Sequence, residues 1–387
     1  MTTEAEVRQA LRSVMDPEIG RPIEEIGMLR GIAIDGGAVE VHVLITIEGC
    51  PLKDRITQDV TAAVRPLEGV HDVSVKLTPM SQDERQALVT KLRGSAAPSP
   101  SQPQPSKISF DPATSIIAVA SGKGGVGKSS VTVNLACALA AEGHRVGVLD
   151  ADVWGFSVPR MIGVTGKPVG FNDMILPLES HGVKVISMGF FVPEETPVIW
   201  RGPMLHKAIE QFLGDVYWGD LDFLLCDLPP GTGDVSISLA SFLPGASMLV
   251  VTTPQEAARK VAERAGKMAE RTNLRPLGVI ENMSWYVCPH CGEREGIFGV
   301  GGGQLAADTL GVPLMAQVPL MPALREGGDT GTPLVISDPD APAAEALREA
   351  ARAVVRATTS KVGKPLNLMP APGAPVAAGH GHAGHSH

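Results

Sequence analysis

A mostly parallel α/β sheet covered by helices, preceded by a smaller α/β domain, is the fold this sequence predicts. Three observations carry that expectation. Short, continuous, β-branched apolar runs recur at Ile116–Ala120, Val146–Leu149, Val183–Ser187, Phe223–Cys226, Met248–Thr252 and Leu277–Ile280. Helical stretches separate several of them, such as Ser129–Glu142, Met204–Phe212 and Glu256–Thr272. Strands that are apolar on both faces, alternating with helices, belong to a parallel sheet buried on both sides. The third observation is the tract GSAAPSPSQPQPSK at residues 94–107, which has too little apolar surface to pack and reads as a linker.

The linker divides the chain into residues 1–93, a small α/β domain, and residues 108–357, the larger domain, followed by a tail at 358–387. In the small domain Ala5–Met15 has amphipathic helical spacing and Gly36-Gly37 forms a turn. Val39–Ile47 alternates as a strand, Leu52–Val64 is again helical, and Val70–Leu77 alternates. In the larger domain the uncharged run Val235–Gln255 raises the question of a membrane span. Pro244-Gly245 breaks it into a helix, a turn and a buried strand. Ala343–Ala357 is the last helix. The tail beyond it is rich in Pro, Gly and Ala and ends in His380, His382, His385 and His387, which could gather a divalent metal loosely or simply be solvated.

Composition narrows the function classes. The 387 residues are 44% hydrophobic and 19% charged, enough to build a core. Asp and Glu outnumber Lys and Arg by 42 to 33, a net charge of −9, which argues against a nucleic-acid or anionic-membrane partner. Five cysteines with no ladder of spacings suggest a reducing compartment. Residues 1–15 carry charges at helical spacing rather than an apolar leader. A cytoplasmic protein is expected.

The strand Ile116–Ala120 runs into Gly122-Lys123-Gly124-Gly125-Val126-Gly127-Lys128-Ser129-Ser130, a match to G-x-x-x-x-G-K-[ST]. Its glycines let backbone N–H groups converge on phosphate oxygens, and the following helix points its positive end at the same anion. Lys128 would reach the β- and γ-phosphates, and the Ser129 hydroxyl would ligate Mg²⁺. The larger domain is therefore expected to be a P-loop NTPase binding ATP with Mg²⁺. Carboxylates at later strand ends fit the same chemistry. Asp227, in Cys226-Asp227-Leu228-Pro229-Pro230, would hold Mg²⁺ through water. Asp152 would orient the attacking water, with Asp150 supporting the loop. Asn282 sits where an amide could read the adenine edge, or act only as a turn residue. Cys137 and Cys226 read as buried packing residues, while Cys50 opens an expected helix whose dipole could lower its pKa.

Lys123, a second lysine inside the loop, makes the pattern K-G-G-x-G-K-[ST]. This resembles the deviant Walker A class, which includes the MinD and ParA partition ATPases, the nitrogenase iron protein and the Mrp-type iron–sulfur carriers. The resemblance implies that Lys123 reaches across a dimer to the partner's nucleotide.

Cys288-Pro289-His290-Cys291 is, taken alone, a redox dithiol, half a zinc site, half a cluster site or a loop. Zinc or a four-iron cluster wants about four protein ligands, and no second C-x-x-C exists. A two-fold dimer would supply four thiolates, in agreement with the dimer that Lys123 implies.

The strings DADVWGFSVPRMIG, IWRGPML, CDLPPGTGD, GVIENMSWYVCPHCG, IFGVGGG and LREGGDTGTPLV, in this order, resemble the Mrp (ApbC-type) iron–sulfur cluster carrier ATPases. The first domain, with Asp16-Pro17-Glu18 and Gly49-Cys50-Pro51, resembles the MIP18-like domain that bacterial Mrp proteins often carry. Trp154-Gly155-Phe156-Ser157 departs from the family, which more often has a proline before the serine. The resemblance implies a homodimer that hydrolyses ATP slowly, with catalytic roles for Lys123, Lys128 and Asp152. It would hold a labile iron–sulfur cluster, of the 4Fe-4S kind, between Cys288 and Cys291 of two subunits and transfer it to apo-proteins. The alternative is a MinD/ParA-like positioning ATPase. That reading calls for a membrane-seeking C-terminal helix or a basic DNA surface, and the Pro/Gly/Ala tail and net charge supply neither.

Overall fold

The computed structural model describes residues 2–17, 19–45, 53–93, 108–152, 155–171, 174–191, 202–231, 234–243, 245–255, 260, 264, 268–269, 272–288 and 290–359. In the N-terminal module, α1 (Glu4–Leu11) and α2 (Ile23–Ile26) precede β1 (Leu29–Asp35) and β2 (Ala38–Ile45). After these come α3 (Lys53–Val64), β3 (Asp72–Pro79) and α4 (Gln82–Arg93). The β1–β2 pair is antiparallel and β2–β3 parallel, giving a three-stranded sheet. Val7 and Leu11 of α1 and Ile56, Val60 and Val64 of α3 pack onto Val39, Val41 and Val43 of β2.

The first helix is shorter than its apolar spacing predicts. Thr3 and Glu6 form a reciprocal capping box at its start, but it ends at Leu11. Beyond it the Asp16 N–H donates to the Arg21 carbonyl at 2.9 Å and the Ile23 N–H to the Val14 carbonyl at 3.0 Å. That loop turns Val14 inward and leaves Met15 outside.

The larger module begins with β4 (Ser115–Ser121), α5 (Lys128–Ala141), β5 (Val146–Asp150) and α6 (Val158–Met161). A small hairpin of β6 (Val169–Phe171) and β7 (Met174–Leu176) follows, then β8 (Leu178–Ser180), β9 (Val183–Ser187) and α7 (Gly202–Gly214). Next are β10 (Phe223–Asp227), α8 (Asp234–Phe242), β11 (Ser247–Thr252), β12 (Arg275–Asn282) and the short strands β13 (Tyr286–Val287) and β14 (Arg294–Glu295). The chain continues through α9 (Gly302–Leu310), β15 (Leu314–Val318), α10 (Pro322–Thr330), α11 (Leu334–Ser337) and α12 (Pro342–Thr359).

The eight-stranded sheet runs β15-β12-β11-β4-β10-β5-β9-β8, parallel throughout except for the edge strand β8. Every residue of β5, β10 and β11 is buried, as two-sided coverage demands. One face packs against α5 and α12 through Val131, Leu135, Leu347 and Val354. The other packs against α7 and α8 through Ile209, Phe212 and Leu239.

All six predicted strands of this module are present, with ends shifted by at most two residues. The run Val235–Gln255 is a helix followed by a buried strand, and among the described residues no helix is long and apolar enough to cross a membrane. Most of the predicted helix Glu256–Thr272, together with Cys50, the linker and the histidine tail, lies outside the described residues.

Candidate functional site: a phosphate loop and a cysteine hairpin at one end of the sheet

Parallel sheets put ligands at the carboxyl ends of their strands. Here β4 sits at the centre of the sheet, and its end passes directly into the loop 122–127 and the N-terminus of α5. Gly125 and Gly127 have φ of +77° and +78°, the left-handed region that glycine enters without strain. Gly127 is also fixed by space, since a Cβ there would lie 2.2 Å from Asn282 Nδ2.

In register, Asp227 at the end of β10 stands opposite Asp150 at the end of β5. Asp227 is fully buried. Its Oδ2 accepts from Ser129 Oγ at 2.6 Å and lies 2.6 Å from Lys128 Nζ. Its Oδ1 is 2.8 Å from Thr132 Oγ1. Lys128 therefore rests on the carboxylate predicted to serve Mg²⁺, and Ser129 and Asp227 already converge. A hydroxyl and a carboxylate oxygen side by side form a hard oxygen donor set suited to Mg²⁺, while the positive end of the helix suits the phosphates that the ion would accompany. Thr132, one turn into α5, carries no motif and was not predicted.

Asp150 is also fully buried. Burial, and then the charge of Asp227, pushes its carboxyl well above the ordinary carboxylate range, against hydrogen bonds that favour the ionised form. Those bonds come from Ser187 Oγ at 2.9 Å and the Asp152 N–H at 3.2 Å. Asp150 thus ties the end of β9 to the loop that carries Asp152. Asp152 itself is nearly buried and faces Gly155, whose Cβ would lie 3.7 Å from its Oδ2.

Asn282 ends β12, with its Nδ2 donating to the Val126 carbonyl at 2.9 Å. Its Oδ1 is buried and has no hydrogen-bond partner among the described residues. Lys123 donates from Nζ to Gln255 Oε1, just beyond β11, and its carbonyl accepts from Ser121 Oγ at 3.1 Å.

The cysteine pair grows from the strand that carries Asn282. After β12 the chain is anchored to β15 by the Ser284 N–H on the Val318 carbonyl, at 2.9 Å, and then projects as the β13–β14 hairpin. The Arg294 guanidinium lies 5.1 Å from the Trp285 ring centroid at the hairpin's base. At the tip the Cys288 N–H donates to the Glu293 carbonyl and the Gly292 N–H to the Cys288 carbonyl, both at 2.9 Å. Backbone N–H groups of Cys291 and His290 turn toward the Cys288 sulfur and lower its pKa. Cys288 is half-buried and Cys291 exposed. Cys137 and Cys226 are buried, and burial raises both thiols, Cys137 to about 12. Among the described cysteines, only Cys288 and Cys291 are presented as thiolate donors. Among the described residues no group of three or more His, Cys, Asp and Glu side chains converges on a metal position.

Glu281, also missed in the sequence, is a buried carboxylate behind this assembly. It accepts from the Gly303 N–H and from Gln317 Nε2, the latter at 2.8 Å, fixing the start of α9 and β15 against β12.

Residues 113–355 match the profile of the NUBPL iron-transfer P-loop NTPases. The chain belongs to this family. Residues 4–77 match a second profile, described as an iron-sulfur cluster assembly protein. A protein of Mycobacterium tuberculosis named iron-sulfur cluster carrier protein is 50% identical over 373 residues, covering 95% of this chain and 97% of that protein. One of the same name from Synechocystis is 42% identical over 360 residues, covering 92% and 97%. Among solved structures, a nucleotide-binding protein from Archaeoglobus fulgidus in complex with ADP is 39% identical. It aligns with a TM-score of 0.51 and covers 58% of this chain and 87% of that one. Family membership makes the larger module a P-loop NTPase, and the positioning-ATPase alternative loses ground to carriers matched over nearly the whole chain.

Proposed function

We propose that this protein is an ATP-dependent iron–sulfur cluster carrier that works as a homodimer. The observation that carries the proposal is placement: β12 ends on Asn282 beside the phosphate loop and, within nine residues, presents Cys288 and Cys291 on a projecting hairpin. A nucleotide at the loop and a cargo at the hairpin share one strand. The carrier names of the relatives supply the identity of the cargo.

ATP would bind with its phosphates on the backbone N–H groups of residues 122–128 and its adenine against Asn282. Lys128 would leave Asp227 for the phosphates, a stronger charge-assisted partner. Ser129 and Asp227 would hold Mg²⁺, whose chemistry is to neutralise charge on the transferred phosphoryl group. Asp152 would orient the attacking water and Lys123 would act on the partner's nucleotide. Hydrolysis by this arrangement would be slow. Two thiolates per chain are half of what a 4Fe-4S cluster needs, so the cargo would sit on the dimer axis. An exposed site suits a cargo that must be released to an apo-protein.

Anaerobic isolation, with iron, sulfide and zinc counted per dimer, tests the proposal. Cys288→Ala and Cys291→Ala are each expected to lose iron and sulfide while ATP binding stays within about two-fold of wild type, because the two sites share no side chain. A double variant that keeps wild-type iron and sulfide after reconstitution removes the bridging site. A wild-type protein that holds only zinc and takes up no cluster replaces the cargo with a structural zinc.

A further inference from the structure

The side-chain hydrogen bond between Lys123 and Gln255 gives the second lysine of the phosphate loop a partner within its own chain. Both residues are half-buried. The lysine's backbone is held by Ser121 Oγ on its carbonyl. Gln255 is presented by a rigid support, because Thr252, Thr253 and Pro254 before it are buried and β11 lies beside β4 in the sheet. The support also touches the loop after the cysteine hairpin, since a Cβ on Gly299 would lie 3.6 Å from the Pro254 carbonyl oxygen.

The chemistry of the pair is that of a reversible hold. An ammonium on a neutral amide oxygen makes one charge-assisted bond. An ammonium on a phosphate makes a stronger one, because both partners are charged. A glutamate at 255 would hold the lysine more tightly, and an alanine not at all.

We infer that Gln255 is the resting partner of Lys123, an autoinhibitory contact that keeps the lysine on its own subunit until a partner's nucleotide displaces it. The inference rests on the reading that Lys123 serves a nucleotide across the dimer. Dimer assembly with ATP then includes the breaking of this bond, which makes Gln255 a positioning residue for Lys123 and sets a threshold for assembly.

The test uses the full-length chain with Mg-ATP, and reads dimerisation by sedimentation and ATPase rate against protein concentration. Gln255→Ala is expected to tighten ATP-dependent dimerisation about 25-fold, about five-fold for each of the two resting hydrogen bonds that assembly breaks. Its ATPase should reach half-maximum at correspondingly lower protein. Gln255→Glu is expected to shift both in the opposite direction. In a Lys123→Ala background neither substitution should change either reading. The inference is overturned if both Gln255 variants match wild type while Lys123→Ala is impaired, a result that leaves the lysine's role intact. It is overturned equally if Gln255 substitutions act in the Lys123→Ala background. If Lys123→Ala itself dimerises and hydrolyses as wild type, the cross-dimer reading fails first and the resting contact loses its purpose.

Discussion

Lys128 and Asp227 are 6% and 0% exposed, and their ion pair is the most enclosed in the nucleotide site. Removing one partner of such a pair strands the other's charge in a poorly solvated place. Lys128→Met is therefore expected to destabilise the nucleotide-free protein by about 3 kcal/mol, as well as abolishing ATP binding. Lys128→Met combined with Asp227→Asn should recover most of the stability and none of the binding. Urea unfolding beside nucleotide titration separates the two effects. Asp150 gives a pH-dependent counterpart. Its carboxyl holds a proton to higher pH in the folded chain than in the unfolded one, where it titrates near 3.8. Its favourable contribution is complete below that value and is lost as pH rises toward the folded pKa. Asp150→Asn keeps the acceptor for the Asp152 N–H and cannot ionise. The nucleotide-free variant should thus be more stable than wild type at pH 7, with the gain shrinking as pH falls toward 4. Melting temperatures across that range measure it, and an unchanged difference would refute the buried-acid account.

At the scale of elements, the site was legible where a motif forces several residues together. The phosphate loop needs glycines at fixed offsets, and the cysteine pair needs its spacing. Thr132, Ser187, Gln255 and Glu281 were not legible, because each is a single polar residue whose partner lies far away in sequence. Gln255, for example, is 132 residues from Lys123. Strand β15 escaped notice because Pro313 precedes it and Gln317 interrupts its apolar run, so five residues of pairing leave little periodic signal. The same lack of signal hides the packing of α9, whose Gly303 lies against β12 so closely that a Cβ would fall 2.5 Å from Glu281 Cβ. Gly303→Ala must push α9 from the sheet or displace Glu281 from its hydrogen bonds. A loss of about 1–3 kcal/mol in urea unfolding is expected. Gly301→Ala offers a contrast, because its cost comes from a φ of +81° in open space rather than from a clash.

At the scale of the whole molecule, the sequence divides the chain at residues 94–107, and the structure adds a contact across that division. Met174 and Leu176 of β7 are each 3% exposed and pack with the N-terminal module's apolar residues. The Tyr217 hydroxyl faces the Arg21 guanidinium. A cleft of about 1070 Å³, lined by Arg21, Arg145, Lys184 and Asp220 among others, remains between the two modules, so their surfaces meet without closing. Two buried apolar side chains contribute about 1.5–3 kcal/mol each, less than the core of either module. Contacts of that size permit relative motion and do not merge two domains into one cooperative unit. The full chain should accordingly show two calorimetric transitions. A piece beginning at Lys107 should fold, dimerise and bind ATP, and should melt within a few degrees of the matching transition in the full chain. Met174→Ser with Leu176→Ser should leave that piece's transition almost unmoved, because the two side chains would already be exposed in it. In the full chain the same pair should lower the transition of the N-terminal module toward that of isolated residues 1–93. A single transition for the full chain, or a truncated piece that aggregates or stays monomeric with ATP, would mean that the N-terminal module is part of the ATPase core.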